Sequence, residues 1–382
     1  MKKTKTIIAT LCLLGSTATF AGQETAVNID PDSSLSSVQP RVMNGEAAAH
    51  DLLPWQVMVF GQTTGTMCGG SIISEHWIVT AAHCTFKMDA GNKVIMLQKG
   101  DYIFAGTTNP HLFGGYLDKN KGTLIEEVIT HQGYNPEIQA TRFDNDIALI
   151  RVNESLYARG GKAIKIASFN QPNLATAEQT QADQQFGNTY VKGQGSQATL
   201  IASGWGHLGT QNKTSDTLQV VKLAGIPDSQ CDSSPYKGDY FVCADSNRAS
   251  VKKDVCRGDS GGPLIWQNPA NVNDADKGLR LVGATSNGPL CSAKNDGLTD
   301  GDGLYTQVSY YRQWIEGKTG LDLDAIPMAN YKYDPFKVVK DVPPKQPKQP
   351  DSDSSGGGGG GGSVPLLSLV ALGLFGWLRR NK

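Results

Sequence analysis

Between Arg41 and residue 320 the chain repeats one pattern: a short apolar run, then turn-formers. WQVMVF (55–60), GSIISEHWIVTAA (70–82), TLIEEVITH (123–131), NDIALIRV (145–152) and TLIASGWG (199–206) are five such runs. TLQVVKLAGI (217–226), PLIW (263–266), RLVGATS (280–286) and GLYTQVS (303–309) continue the series. These runs are rich in Val, Ile and Leu, and turn-forming residues such as Gly and Pro lie between them, which predicts strands in a sandwich or barrel. YYRQWIEGKTG (310–320) alone has aromatics at helical spacing with a glycine stop, which predicts a short helix. The polar stretch TAEQTQADQQFGNTYVKGQGSQ (176–197) reads as a surface loop. No internal repeat is visible. One domain is expected over 42–320, followed by a polar linker over 321–355, rich in Pro, Lys and Asp from Tyr331 onward.

The two ends read as addresses. MKKTKTIIATLCLLGSTATFA places lysines before an apolar run and small residues after it, which predicts a secretory signal peptide over 1–21. Residues 22–41 are polar and read as a propeptide. At the other end, 356–382 holds a glycine run, about fifteen mostly apolar residues (364–378), then Arg379, Arg380 and Lys382. That apolar stretch is short for a spanning helix, which needs about 17–25 residues; a basic end predicts a cytoplasmic C-terminus if it inserts. Losing the leader's three lysines and the tail's three basic residues moves the net charge from −1 to about −7. A chain that acidic is not built for nucleic acid.

Leaving aside Cys12 in the leader, six cysteines remain: Cys68, Cys84, Cys231, Cys243, Cys256 and Cys291. An even number in an exported chain predicts three disulfides, with fifteen pairings open. No pair has the CxxC spacing of a structural zinc site, so no metal is expected.

GDSGGP (258–263) is the stretch that points to chemistry. A serine hydroxyl is a weak nucleophile until a base takes its proton. Acyl transfer also needs backbone N–H groups aimed at the oxygen that becomes negative. Glycines on both sides of Ser260 allow the turns that expose such groups. Among the six histidines, His83 ends the strand run WIVTAAHC and is followed by a cysteine that could pin it. His50, His76, His111, His131 and His207 sit in contexts that suggest no partner. Asp146 and Asp144, ahead of the IALI run, are the candidate carboxylates to orient the base.

VTAAHC, DIALI and GDSGGP, in that order, resemble the trypsin/chymotrypsin family of serine endopeptidases. The likeness runs from RVMNG at Arg41 to YYRQWI at Ile315 and includes SGWG, ITHQGYNP and GLYTQV. It implies an all-β fold of two antiparallel six-stranded barrels with the active site between them, and a short C-terminal helix. It implies His83 as general base and acid, Asp146 as its orienter, and Ser260 as nucleophile. The amides of Gly258 and Ser260 become the oxyanion hole. Asp254 becomes the floor of the specificity pocket, with Ser286 starting the substrate strand and Gly288 and Gly303 as open walls, which implies cleavage after Arg or Lys. Arg41 becomes an activation site: cutting after it would free the Val42 amine to pair with Asp259. The activating enzyme would be a trypsin-like protease, this one included. The implied disulfides are Cys68–Cys84, Cys231–Cys243 and Cys256–Cys291. No cofactor is implied. The tail resembles the GlyGly-CTERM sorting tails of Gram-negative exported proteins. That implies transient membrane anchoring, a tail-cutting membrane protease, and a secreted or cell-surface product.

Three departures from the family pattern stand out. Ser286-Asn287-Gly288 replaces the usual SWG, removing an aromatic from the neighbouring subsites. The segments from His83 to Asp146 and from Arg151 to Ser203 are both long. The sequon Asn212-Lys213-Thr214 would carry little meaning in a bacterial chain, the source that the tail's resemblance implies. Two rival functions are weaker. A non-catalytic binding homologue of the same fold would have lost a triad residue, and all three stand. GDSGG fits the GxSxG pattern of an esterase, but the order His, Asp, Ser does not.

Overall fold

A computed structural model describes residues 42, 44–111, 116–169, 176–208, 211–236, 238–249, 251–288, 291–292, 297–298 and 302–341. Twelve strands form two closed barrels. The first uses β1 (Gln56–Phe60), β2 (Met67–Ile72), β3 (Trp77–Thr80), β4 (Tyr102–Phe104), β5 (Gly122–Thr130) and β6 (Ala148–Val152). They pair antiparallel in the closed order β1-β2-β3-β6-β5-β4. The second uses β7 (Leu200–Gly204), β8 (Gln219–Ile226), β9 (Phe241–Ser246), β10 (Pro263–Gln267), β11 (Leu279–Asn287) and β12 (Gly303–Gln307). Its pairings run β7-β8-β9-β12-β11-β10 and return to β7. The two barrels therefore share one connectivity, a repeat in structure that the sequence does not display.

Period-two alternation explains how the strands fill space. Val57 and Val59 pack inside the first barrel with Ile72, Ile78, Ile103, Ile125 and Ile150. Met58, between them, turns outward into a cluster shared by both barrels, with Phe104, Leu149, Ile201, Val220 and Ile265. Leu200 and Ala202 point into the second barrel with Val221, Leu223, Leu264, Val282 and Tyr305. Both strand faces are buried, so the apolar runs are nearly continuous. Fully burying each Val, Leu or Ile is worth about 1.5–3 kcal/mol.

The GSIISEHWIVTAA run divides into β2 and β3, because Ser74–His76 make the turn. Two barrel strands, β4 and β9, lie outside the runs read from sequence. Three residues (YIF) and an interrupted FVCADS give too little pattern. The polar stretch expected as a loop carries a helix, α1 (Glu178–Thr189). Gln179, Ala182 and Phe186 are its buried face, at helical spacing. Phe186 lies against Gly225, where an added Cβ would come within 2.4 Å of its ring. The expected C-terminal helix is α2 (Arg312–Thr319), closed by Gly320 at φ +71°.

The segment expected as a linker is packed along its first part. Leu323, Tyr331 and Val339 are buried. Tyr331 stacks edge-on against Trp55 at 4.9 Å and donates to the Ala163 carbonyl. Scattered apolar residues at no fixed period hold this strap, which is why composition read it as linker. The strap also carries a one-turn helix, α3 (Pro335–Val338). Residues 342–355 lie outside the described set, as do the expected signal peptide and propeptide (1–41) and the tail (356–382). Among the described residues no helix is long and apolar enough to cross a membrane.

Cys68–Cys84 and Cys231–Cys243 are bonded as implied. Cys256 is disulfide-bonded too; the side chain of Cys291 lies outside the described residues.

Candidate active site

His83 sits in a 3₁₀ turn (Ala82–Cys84) just after β3. Asp146 lies two residues before β6, the strand that pairs with β3. Sheet pairing therefore brings together two residues 63 positions apart. Asp146 is completely buried, and its carboxylate is fully engaged. Oδ1 accepts the His83 backbone N–H at 2.8 Å, and Oδ2 faces His83 Nδ1 at 2.7 Å. Oδ2 also accepts the Ser286 hydroxyl at 2.6 Å, while Thr306 donates to the Asp146 carbonyl at 2.8 Å. The left-handed Asn145 (φ +58°) makes the turn that aims Asp146 inward.

The family resemblance puts Ser286 at the start of the substrate strand. The structure also makes it a donor to Asp146, a contact with no local sequence signal. Phe143 was missed as well: its ring meets His83 edge-on at 6.0 Å. Burial works to push the His83 proton off, but the Asp146 charge and hydrogen bond outweigh it. The imidazole therefore holds its proton above the ordinary histidine range. The other histidines are elsewhere. His50 pairs with Asp51 at 2.8 Å, and His131 lies between the rings of Tyr311 and Trp314.

Ser260 stands in the tight turn that enters β10. Its carbonyl accepts the Gly69 amide at 2.7 Å, and Cys84 Sγ approaches that carbonyl at 3.7 Å. The serine is thus locked beside the turn that carries His83. Two glycines here are sterically required. Gly261 (φ +75°) would place a Cβ 2.1 Å from Thr80 Oγ1, and Gly258 (φ +98°) one 3.0 Å from Gly206 Cα. The Asp259, Gly261 and Gly262 amides are spent on Cys256, Thr285 and Asp259 carbonyls. Among the described hydrogen bonds, none uses the amides of Gly258 or Ser260. This loop therefore carries two N–H groups, one on either side of Asp259, with no partner among the described hydrogen bonds, and its Ser260 carbonyl lies against Cys84, next to His83.

Asp259 is buried beneath the loop. Its carboxylate accepts the Gly206 amide at 2.6 Å and the Cys256 amide at 2.8 Å. Burial nonetheless raises its pKa to about 6. Gly204 and Gly206 of SGWG make room for it: a Cβ on Gly204 would sit 2.0 Å from Asp259 Oδ1. Val42 is fully buried in the cluster inside the second barrel. Arg41 lies outside the described residues.

Asp254 is buried below the Ser260 loop. Its Oδ1 accepts the Val255 amide at 2.7 Å and the Tyr305 hydroxyl at 3.2 Å. A Cβ on Gly303 would meet Oδ1 at 3.0 Å, and one on Gly288 would meet Oδ2 at 3.4 Å. Three residues predicted to share a pocket do lie together. Burial raises the Asp254 pKa to about 7, against the two hydrogen bonds, and the charges of Asp245 and Asp259 raise it further. Among the described residues no cluster of His, Cys, Asp and Glu could hold a metal.

Residues 42–315 match the Trypsin family. The chain belongs to that family. It is 31% identical to Trypsin alpha of Drosophila melanogaster over 318 residues, covering 80% of this chain and 94% of that one. It is 31% identical to Coagulation factor IX of Cavia porcellus, over 72% of this chain and 80% of the relative. Transmembrane protease serine 11C of Mus musculus is 28% identical over 74% of this chain and 54% of its own length. As a trypsin-family member the chain is classed with serine proteases, hydrolases that act on protein substrates.

Proposed function

We propose that this chain is an exported, zymogen-activated serine endopeptidase that hydrolyses peptide bonds after Arg or Lys. His83 Nε2 takes the Ser260 proton as Oγ attacks the scissile carbonyl, and later gives it to the leaving amine. Asp146 holds the ring in the tautomer with Nδ1–H and stabilises the imidazolium. The Gly258 and Ser260 amides receive the oxyanion, where losing one donor typically costs about 2.7–4 kcal/mol. Water then hydrolyses the acyl-enzyme by the same proton relay.

The observation that carries the specificity is Asp254: a buried carboxylate, crowded by two other acids and bordered by glycines. Such a site is completed by a guest cation. Arg fits best, because its planar fork can engage a carboxylate at two points. A non-catalytic role on the same fold has no specific observation in its favour.

Two pH effects separate these roles. The kcat of an arginyl substrate should fall on the acid side with an apparent pKa above the ordinary histidine value of about 6.5. Asp146→Asn should move that limb downward, because burial then acts alone. The stability contributed by protonated His83 is complete below about pH 6.5 and fades as pH rises through the higher folded value. Benzamidine, which probes Asp254 alone, should bind progressively more weakly below about pH 7. A pH-independent benzamidine affinity would remove Asp254 from the pocket floor.

Activation is supported by Val42. The uncut chain holds it at φ +43°, which a β-branched residue rarely adopts, and cutting after Arg41 abolishes that torsion. The freed amine would pair with Asp259, a contact that selects one loop conformation more than it adds stability. Arg41→Gln should accumulate an inactive precursor. Mass spectrometry should find the wild-type mature chain starting at Val42; an active mutant retaining residues 22–41 would refute zymogen control. The tail is proposed as the sorting signal: anchored first, then cut, leaving the enzyme secreted or on the cell surface.

A further inference from the structure

The described part of the strap after α2 runs to Asp341, beside the segment that leads into Asp254. Lys253, the residue before Asp254, has a side chain only 1% exposed. Its ammonium forms an ion pair with Asp341 Oδ1 and donates to Asn247 Oδ1 at 2.9 Å. Asn247 Nδ2 donates to Asp341 Oδ2 at 2.8 Å. Arg248 Nη2 reaches both the carbonyl and Oδ2 of Asp341 at 3.1 Å. One carboxylate thus gathers three side chains from residues 247–253. Asp341 itself is left-handed (φ +55°), a conformation its surroundings must hold in place.

We propose that Asp341 is a positioning residue for substrate recognition: acting through Lys253, it fixes the segment that carries Asp254. The inference rests on reading Asp254 as the pocket floor. Without Asp341, a buried ammonium loses its one described carboxylate, and the segment must shift to bring Lys253 to water. Asp254, joined to it by one peptide bond, moves with it. The strap itself is anchored along its length, up to the residue before Asp341. Lys162 Nζ donates to the Asn330 carbonyl at 2.6 Å, and the Tyr331 amide donates to Ala275 O at 3.1 Å. Lys222 Nζ donates to Phe336 O at 2.7 Å, and the Lys340 amide to Glu46 Oε1 at 3.2 Å. Asp341 is therefore held from the strap side, so the pair can brace the pocket segment against it.

The test uses the mature enzyme with residues 321–341 present. Asp341→Asn should raise the KM of a peptidyl-arginine substrate and the Ki of benzamidine about tenfold, with kcat within twofold. Replacing the pair together, Lys253→Met with Asp341→Leu, removes the stranded charge and should restore both constants to within about threefold of wild type. In a Ser260→Ala background, amide exchange should quicken over residues 247–255 in Asp341→Asn and not in the pair variant. A wild-type Ki in Asp341→Asn overturns the proposal. So does an equal loss of kcat on every substrate, which would mark a general loss of fold. If wild type itself neither prefers Arg and Lys nor binds benzamidine, the reading of Asp254 fails first. Faster exchange over 247–255 would then reduce Asp341 to a purely structural brace, which also overturns the proposal.

Discussion

Ser260→Ala should lower peptide-bond hydrolysis by about 10⁶-fold, the usual cost of losing a triad nucleophile. The fold should survive, because what the structure asks of residue 260 is backbone. Its carbonyl holds the Gly69 amide, and the required glycines, 258 and 261, flank it. The hydroxyl carries no described hydrogen bond that packing depends on. Melting temperature should therefore stay within a few degrees of wild type. Neither His83 nor the two amides can form an acyl intermediate alone, so only their residual stabilisation of the water reaction would remain. Retention of more than about 1% of wild-type kcat/KM would remove Ser260 from its proposed role.

Asp254→Ser should cut activity on arginyl and lysyl substrates at least a hundredfold, and spare or raise activity on Phe and Tyr substrates. Removing one member of a buried charge pair typically costs about 3–5 kcal/mol, and each 1.4 kcal/mol is a factor of ten. The substrate supplies the cation here, so the loss falls on transition states that carry one. Stability should move the other way. Asp254 has a folded pKa of about 7, far above the ordinary carboxylate value of about 3.9. The folded state thus binds more protons than the unfolded state between those limits, and stability falls as pH rises through them. The melting temperature of Asp254→Ser relative to wild type should rise from pH 4 to pH 8. A pocket that stabilised the empty enzyme at pH 8 would show the opposite trend.

The site was legible in sequence where its chemistry needs particular residues at particular offsets. His83 at a strand end and Asp146 before IALI meet directly, and the carbonyl of Ser260 lies against Cys84, the residue after His83. Asp254, Gly288 and Gly303 also lie together, with little room for a side chain at Gly303 beside the carboxylate. SGWG is visible as a motif, but the reason for its glycines, the Asp259 carboxylate packed against Gly204 and Gly206, lies 53 residues downstream of Gly206. What stayed hidden depends on long-range placement. Ser286 reaches Asp146 across 140 residues, and nothing local distinguishes its hydroxyl from any other. Phe143 meets His83 only because the chain folds back over it. Helix α1 was masked by its polar surface, since one buried face of Gln179, Ala182 and Phe186 is a weak periodic signal. The strap was misread because Leu323, Tyr331 and Val339 are buried singly, with Pro, Lys and Asp between them. The matching connectivity of the two barrels left no sequence trace, because barrel interiors accept many apolar residues.

The central claim is that this chain is an endopeptidase directed by Asp254. Cleavage-site profiling of the mature enzyme on a mixed peptide library tests it most directly. The account predicts cuts after Arg and Lys, Arg favoured, with benzamidine suppressing both. Cuts mainly after aromatic or small residues, or no cleavage by a chain correctly starting at Val42, would contradict it.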